Sequence, residues 1–92
     1  MAKNNVIVTV VGKDRVGIMA EVTTATANLA GNIVDISQKV IAGYFNLIMI
    51  VDIAKVKMGL VDFKKKLEEL GEKKGYKVTV QNEKVFQYMH RI

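Results

Sequence analysis

The stretch Val6-Ile7-Val8-Thr9-Val10-Val11-Gly12-Lys13-Asp14-Arg15-Val16-Gly17-Ile18 changes from one periodicity to another, and its reading decides the fold. Over about 5–11, Val6, Ile7, Val8, Val10 and Val11 put β-branched apolar side chains on both faces, the pattern of a strand covered on both sides. From Ile18 onward, Val22, Ala25 and Leu29 recur at spacings of four, three and four, one face of a helix over about 15–30. Asp14 is placed to cap that helix, its carboxylate accepting a backbone N–H at the positive end of the dipole. Gly17 then falls in the first turn, where the missing side chain lets a backbone or a ligand come close. A turn that uses glycine for conformation alone accounts for the same residues more simply.

Working outward, Gly31-Asn32 closes the first helix. Ile33 to Ile41 alternates, with Val34, Ile36 and Val40 on one face and Asp35, Ser37 and Lys39 on the other, as in an edge strand with one wet face. Ala42-Gly43 makes a short turn into a third strand, Tyr44 to about Ala54, again apolar on both faces. A second helix buries Leu60, Phe63, Leu67 and Leu70 and ends at Lys73-Lys74-Gly75. Tyr76 to Gln81 is a fourth strand, and Asn82 to Ile92 reads as a short helical tail capped by Asn82, with Val85, Phe86 and Met89 on one side. The order is βαββαβ. It predicts an α+β, ferredoxin-like sandwich: a four-stranded antiparallel sheet, strands one and three central, with two helices on one face.

With 92 residues, half of them hydrophobic and a quarter charged, the chain suits one domain with a single modest core. No apolar run reaches the length of a membrane span, and residues 1–5 lack the apolar region of a secretory signal. The chain has no cysteine, so neither disulfides nor thiolate chemistry enters, and a cytoplasmic location is expected. Its formal charge of +5 is spread along the chain, and Lys64-Lys65-Lys66 sits beside Glu68 and Glu69. That pattern describes a solvated helix face better than a nucleic-acid footprint. His90 stands alone, which argues against a metal site, and no cofactor is expected.

Both helices of such a sandwich pack on one side of the sheet, yet strands one and three are apolar on both sides. The uncovered face would be larger than a soluble monomer usually exposes, so a homodimer or higher homo-oligomer is expected, with the tail helping to cover the sheet or the interface.

The βαββαβ order, the Asp14-Arg15-Val16-Gly17 turn and the Gly31-Asn32-Ile33 entry to strand two resemble the ACT domain, a small-molecule-binding regulatory module. The likeness covers about residues 5–81 and is greatest to the small stand-alone ACT proteins of bacteria and archaea. The family's usual turn reads Asp-Arg-Pro-Gly, and this chain has Val16 where proline is common. The resemblance implies an amino acid or similar ligand bound between subunits, by the first loop and helix of one domain and strand two of its neighbour. By position this points to Asp14, Arg15, Val16, Gly17 and Ile18 in the loop, and to Asn32, Ile33 and Val34 at the strand entry. Helix N-terminal amides suit a carboxylate, and the Asn32 amide both donates and accepts. A partner enzyme or regulator is also implied, or a protein-interaction role without any ligand.

Enzymatic and nucleic-acid readings fit less well. Gly12 and Gly17 have phosphate-loop spacing, but Ile18-Met19 replace the required Lys-Ser/Thr. Acylphosphatases share the fold and would need Arg15 and Asn46 as their anion-binding pair, yet their glycine-rich loop is absent. RNA-recognition sheets stack bases on aromatics, and strand one has none.

Overall fold

The computed structural model describes residues 5–84. β1 (Asn5–Lys13), α1 (Ile18–Asn28), β2 (Asn32–Ile41), β3 (Tyr44–Asp52), α2 (Leu60–Lys74) and β4 (Lys77–Asn82) follow in the expected order. All four strands form one antiparallel sheet, β2-β3-β1-β4. The two strands that are apolar on both faces are thus the central ones, as the ferredoxin-like reading requires.

Pairing sets which residues share a face. Val6, Val8 and Val10 stand in register with Val51, Met49 and Leu47, and Val8 and Val10 also with Val80 and Val78. These side chains are buried, and Ile18 and Val22 of α1 and Phe63 and Leu67 of α2 close over them. Each full burial of a side chain this size contributes about 1.5–3 kcal/mol. Ala25, Leu29, Leu60 and Leu70 border the core and are only partly buried. Thr26 is wholly buried on α1, where its hydroxyl donates to the Val22 carbonyl at 2.8 Å. That internal bond is what makes a polar residue tolerable there.

Both ends of α1 differ from expectation. Asp14 is not the cap: the cap is Gly17, in left-handed backbone at φ 98, with no side-chain bond to the helix. Asp14 instead prolongs the pairing of β1, its N–H donating to the Gly43 carbonyl at 2.9 Å. At the other end the left-handed residue is Ala30, φ 68, rather than Gly31 or Asn32. The Ala30 and Gly31 N–H groups donate to the carbonyls of Ala27 and Thr26 at 2.9 and 3.0 Å, the paired bonds of a Schellman ending. Gly31 is small for a different reason, since a Cβ there would lie 2.9 Å from both Thr26 Cγ2 and Val51 Cγ1.

β2 is the expected edge strand, joined to β3 by a two-residue turn in which Ala42 and Gly43 both have positive φ, as in a type I′ hairpin. A bulge between Ile33 and Asp35 shifts its alternation. Ile33 pairs with buried Val51 and Ile36 with buried Met49, so those two share the helix side, and Val34 is the unpaired extra residue rather than their companion.

α2 ends at Gly75, φ 92, after Lys73 and Lys74, as predicted. Its Gly71 accepts backbone bonds from Gly75 and Tyr76 at 2.7 and 2.9 Å, so the chain doubles back tightly into β4. A Cβ on Gly71 would lie 2.4 Å from the Tyr76 carbonyl oxygen, and one on Gly12 would lie 2.7 Å from Tyr76 Cβ. Two glycines therefore clamp the Tyr76 backbone from either side. On the face away from the helices, Ile7 is buried and the Thr9 and Thr79 hydroxyls are hydrogen-bonded, while Val11, Tyr44 and Ile48 are exposed. The chain turns helical at Glu83, and the Lys84 N–H donates to Asn82 Oδ1 at 2.8 Å, as a capping asparagine would have it. The expected packing of the tail through Val85, Phe86 and Met89 lies outside the described residues.

These contacts separate two glycine-related effects by sign. Gly71→Ala is expected to lower unfolding free energy by more than about 2 kcal/mol, because the clash is with backbone. Ala30→Gly relieves a left-handed alanine and is expected to raise stability by up to about 1 kcal/mol. Urea unfolding of the two variants against the parent chain checks both.

Candidate ligand-binding site

The residues singled out from sequence fall into two groups. Asp14 to Ile18 join β1 to α1, beside the β2–β3 turn, as the Asp14–Gly43 bond shows. Asn32 to Val34 open β2 at the other end of the sheet, where Asn32 pairs with Asp52. The length of β3, from Tyr44 to Asp52, separates the groups by about 27 Å at the usual rise per residue. One chain does not bring them together.

Within the loop, Val16 is 96% exposed, and α1 begins without a side-chain cap. Gly17 is needed for its backbone conformation first, because any side chain at φ 98 is strained whatever the space. A Gly17→Val change, which the sequence suggests as a probe of ligand access, would therefore disturb the loop itself.

Arg15 is committed to the protein. Its guanidinium meets the Glu21 carboxylate through two bonds of 2.9 and 3.2 Å, donates to the carbonyls of Val16 and Lys74 at 3.1 and 3.4 Å, and lies 5.7 Å above the Tyr76 ring. The Tyr76 hydroxyl donates to the same carboxylate at 3.1 Å. Arg15, Glu21 and Tyr76 thus tie the loop to α1, to the end of α2 and to the start of β4. The hydrogen bond to Glu21 raises the Arg15 pKa, and the bonds from Arg15 and then Tyr76 hold Glu21 below its ordinary value. Burial, with the bond to Glu21, pushes the Tyr76 phenol up to about 12. Sequence spacing misses this triad. Arg15 and Glu21 are six apart across a turn, and Tyr76 arrives from 55 residues beyond Glu21.

At the other end, Asn32 borders a hollow of about 350 Å³ with Ala30, Asp52, Ala54 and Lys55. Asp52 Oδ1 accepts the Ala54 N–H at 2.9 Å, which fixes the carboxylate. A carboxamide, a carboxylate and an ammonium therefore converge on a space of small-metabolite size. Asp52 and Lys55 escaped the sequence reading because only the cross-strand pairing with Asn32 marks out Asp52, and Lys55 follows in the connection after β3. A larger groove of about 720 Å³ lies between the helices, floored by Leu29, Leu67 and Leu70 and rimmed by Lys66, Glu69 and Lys73, away from all the singled-out residues.

The rival sites do not assemble. Asn46 is in register with Val11 and Lys39 on the face opposite the helices, whereas Arg15 is held against α1 and the α2–β4 turn. On that face Tyr44 is the aromatic side chain among the described residues, since Phe45 is turned into the core. Lys64, Lys65 and Lys66 lie exposed along α2. Among the described residues no three His, Cys, Asp or Glu side chains gather as a metal site, and no helix is long and apolar enough to cross a membrane.

Comparison with known proteins agrees with the fold. A family model described as ACT domain matches residues 4–81. A "UPF0237 protein" of Methanococcus maripaludis is 48% identical over 96% of this chain and 98% of its own length. Another, from Bifidobacterium longum, is 45% identical over 97% and 99%. Among solved structures, an ACT domain protein from Streptococcus pneumoniae superimposes with a TM-score of 0.80 at 35% identity, covering 90% of this chain and 93% of that one.

The triad predicts opposite behaviour at the two ends of the pH scale. Glu21 has a depressed folded pKa, so its contribution is present above the ordinary carboxylate value and is lost as pH falls through the lower, folded one. Tyr76 has a raised one, so its contribution is present below the ordinary phenol value near 10 and is lost as pH rises toward about 12. Glu21→Gln is expected to flatten the acid limb of a stability–pH curve. In an alkaline absorbance titration it should also bring the last phenol down in pH.

Proposed function

The chain belongs to the ACT domain family, and from that premise we propose a non-catalytic regulatory module whose homodimer binds a free amino acid at the junction of its subunits. The carrying observation is the separation of the two residue groups. The loop of one copy and the Asn32 entry of the same copy lie about 27 Å apart, too far for one small ligand, so a ligand touching both requires a second copy. The chemistry of each half fits a zwitterion. Uncapped amides at the start of α1 suit an α-carboxylate, and Asp14, released from capping, is exposed in the same loop with a charge suited to an ammonium group. On the neighbouring copy the Asn32 amide, with Asp52 and Lys55 around a hollow of about 350 Å³, supplies the remaining polar contacts. Ile33 and Val34 border the Asn32 position as apolar walls, whereas Ile18 is turned into the core and shapes the loop from beneath. Arg15 acts on the loop through Glu21 and Tyr76 rather than on the ligand.

Such a module works by docking. A ligand that binds one arrangement of subunits more tightly shifts the equilibrium by that difference, and a partner enzyme or regulator in the cytoplasm reads the change. A protein-interaction module with no ligand is the second reading, favoured by the exposed apolar side chains of β2.

A thermal-shift screen with the common free amino acids decides between them. A ligand at a hundredfold its dissociation constant adds about 2.7 kcal/mol. A selective upward shift that Asn32→Ala removes, with the unliganded Tm unchanged, is the expected outcome. No shift from any amino acid would leave the interaction reading.

A further inference from the structure

Positive charge that is scattered along the sequence is gathered at one end of the sheet. Val10, Phe45 and Val78 point into the core, so their neighbours in each strand stand on the face away from the helices. There Lys39, Asn46, Val11 and Lys77 form one line across β2, β3, β1 and β4. Ile41, Tyr44 and Lys13 form the next line, toward the β2–β3 turn. All three lysines are exposed, and Val11 and Tyr44 are 45% and 52% exposed. At the usual strand spacing the Cα atoms of Lys39 and Lys77 are about 14 Å apart, and Lys13 lies about 7 Å along β1 from Val11. Flexible four-carbon stems let the three ammonium groups lean in over Val11, Asn46 and Tyr44.

Among the described residues these lysines have no carboxylate partner, and the ion pair is that of Arg15 with Glu21. The carboxylates of this face, Asp35 and Asp52, belong to its other end. Asp35 is four residues along β2 from Lys39, about 13 Å. Even with Asp14, which follows Lys13 at the end of β1, positive charge is in excess here. Three unpartnered like charges around an apolar and aromatic floor repel one another, and a bound polyanion relieves that repulsion. We propose that this end of the sheet is a second ligand site, which takes a nucleoside di- or triphosphate with its phosphates among Lys13, Lys39 and Lys77 and its base on the Tyr44 ring.

Each part of such a ligand finds its chemistry. Ammonium groups act on phosphate oxygens as point charges with three donors each, and a base stacks on an exposed aromatic ring. Asn46, half-buried between them, donates to the Tyr44 carbonyl at 3.3 Å and leaves its carboxamide oxygen to accept a ribose hydroxyl. A compact polyanion fits this pattern better than a nucleic-acid strand. A strand laid along the sheet would run from the lysines onto Asp35 and Asp52, and among the described residues Tyr44 alone offers a base its platform on this face. The site is built within one chain, so it rests neither on the amino-acid reading nor on a second copy.

Isothermal titration calorimetry of the full chain tests this with ATP, inorganic tripolyphosphate and adenosine, in EDTA and at about 0.1 M salt, where the Debye length is about 10 Å. ATP is expected to bind with a dissociation constant below about 1 mM, tripolyphosphate more weakly, and adenosine without measurable heat. Replacing Lys13, Lys39 and Lys77 together by Gln should weaken ATP and tripolyphosphate about tenfold or more. Replacing Lys64, Lys65 and Lys66 by Gln removes the same charge from α2, on the other side of the sheet, and should change either constant by less than about twofold. Tyr44→Ala should weaken ATP about fivefold or more and leave tripolyphosphate within about twofold. All the substituted side chains are exposed, and circular dichroism checks that the fold is kept. No heat from either ATP or tripolyphosphate, or equal losses in the two lysine variants, would overturn the site. Equal effects of Tyr44→Ala on ATP and tripolyphosphate would overturn the nucleoside as its ligand.

Discussion

Burial of β1 on its helix side, with β3 and β4 hydrogen-bonded along its two edges, is the constraint on which the other elements depend. Val6, Val8 and Val10 are almost fully removed from water, and so are their partners Leu47, Met49, Val51, Val78 and Val80. That requires both helices on one side and leaves the opposite side to be covered in some other way. It also forces every connection to the ends of the sheet, where the polar loops lie.

At the end near the β1–α1 loop, room is scarcer than chemistry. Tyr76 enters β4 between Gly12 and Gly71, and its hydroxyl then reaches Glu21, which in turn holds Arg15. The loop is therefore braced from two helices and a strand. An arginine that looks like a ligand contact in the linear motif is a brace in three dimensions, while α1 starts without a side-chain cap and Asp14 is exposed beside it.

The two edges of the sheet differ in kind. β4 is a 6-residue strand that follows directly on the end of α2, whereas β2 runs for 10 residues as a hairpin arm with exposed valines and isoleucines. Both strands end the sheet, and they differ in length and in how much apolar surface they expose. The Asn32 hollow and the β1–α1 loop lie at opposite ends of the β2–β3 hairpin, so within one chain the two polar regions stay apart.

By itself the sequence determined the element order, the central and edge strands, Phe63 and Leu67 as core positions of α2 and the glycine end of α2, because these follow from local periodicity and from which strands are apolar on both faces. It also marked Gly17 and Asn32, though for reasons that only the fold sorts out. The capping by Gly17 in place of Asp14, the left-handed Ala30, the bulge at Val34 and the Arg15–Glu21–Tyr76 triad were decided by tertiary structure. Each depends on which distant residue arrives alongside: Gly43 draws Asp14 into the sheet, Thr26 and Val51 leave no room beside Gly31, and Tyr76 gives Glu21 a second partner. Periodicity records how a residue faces its own element. It carries no information about what another element, tens of residues away, brings to meet it.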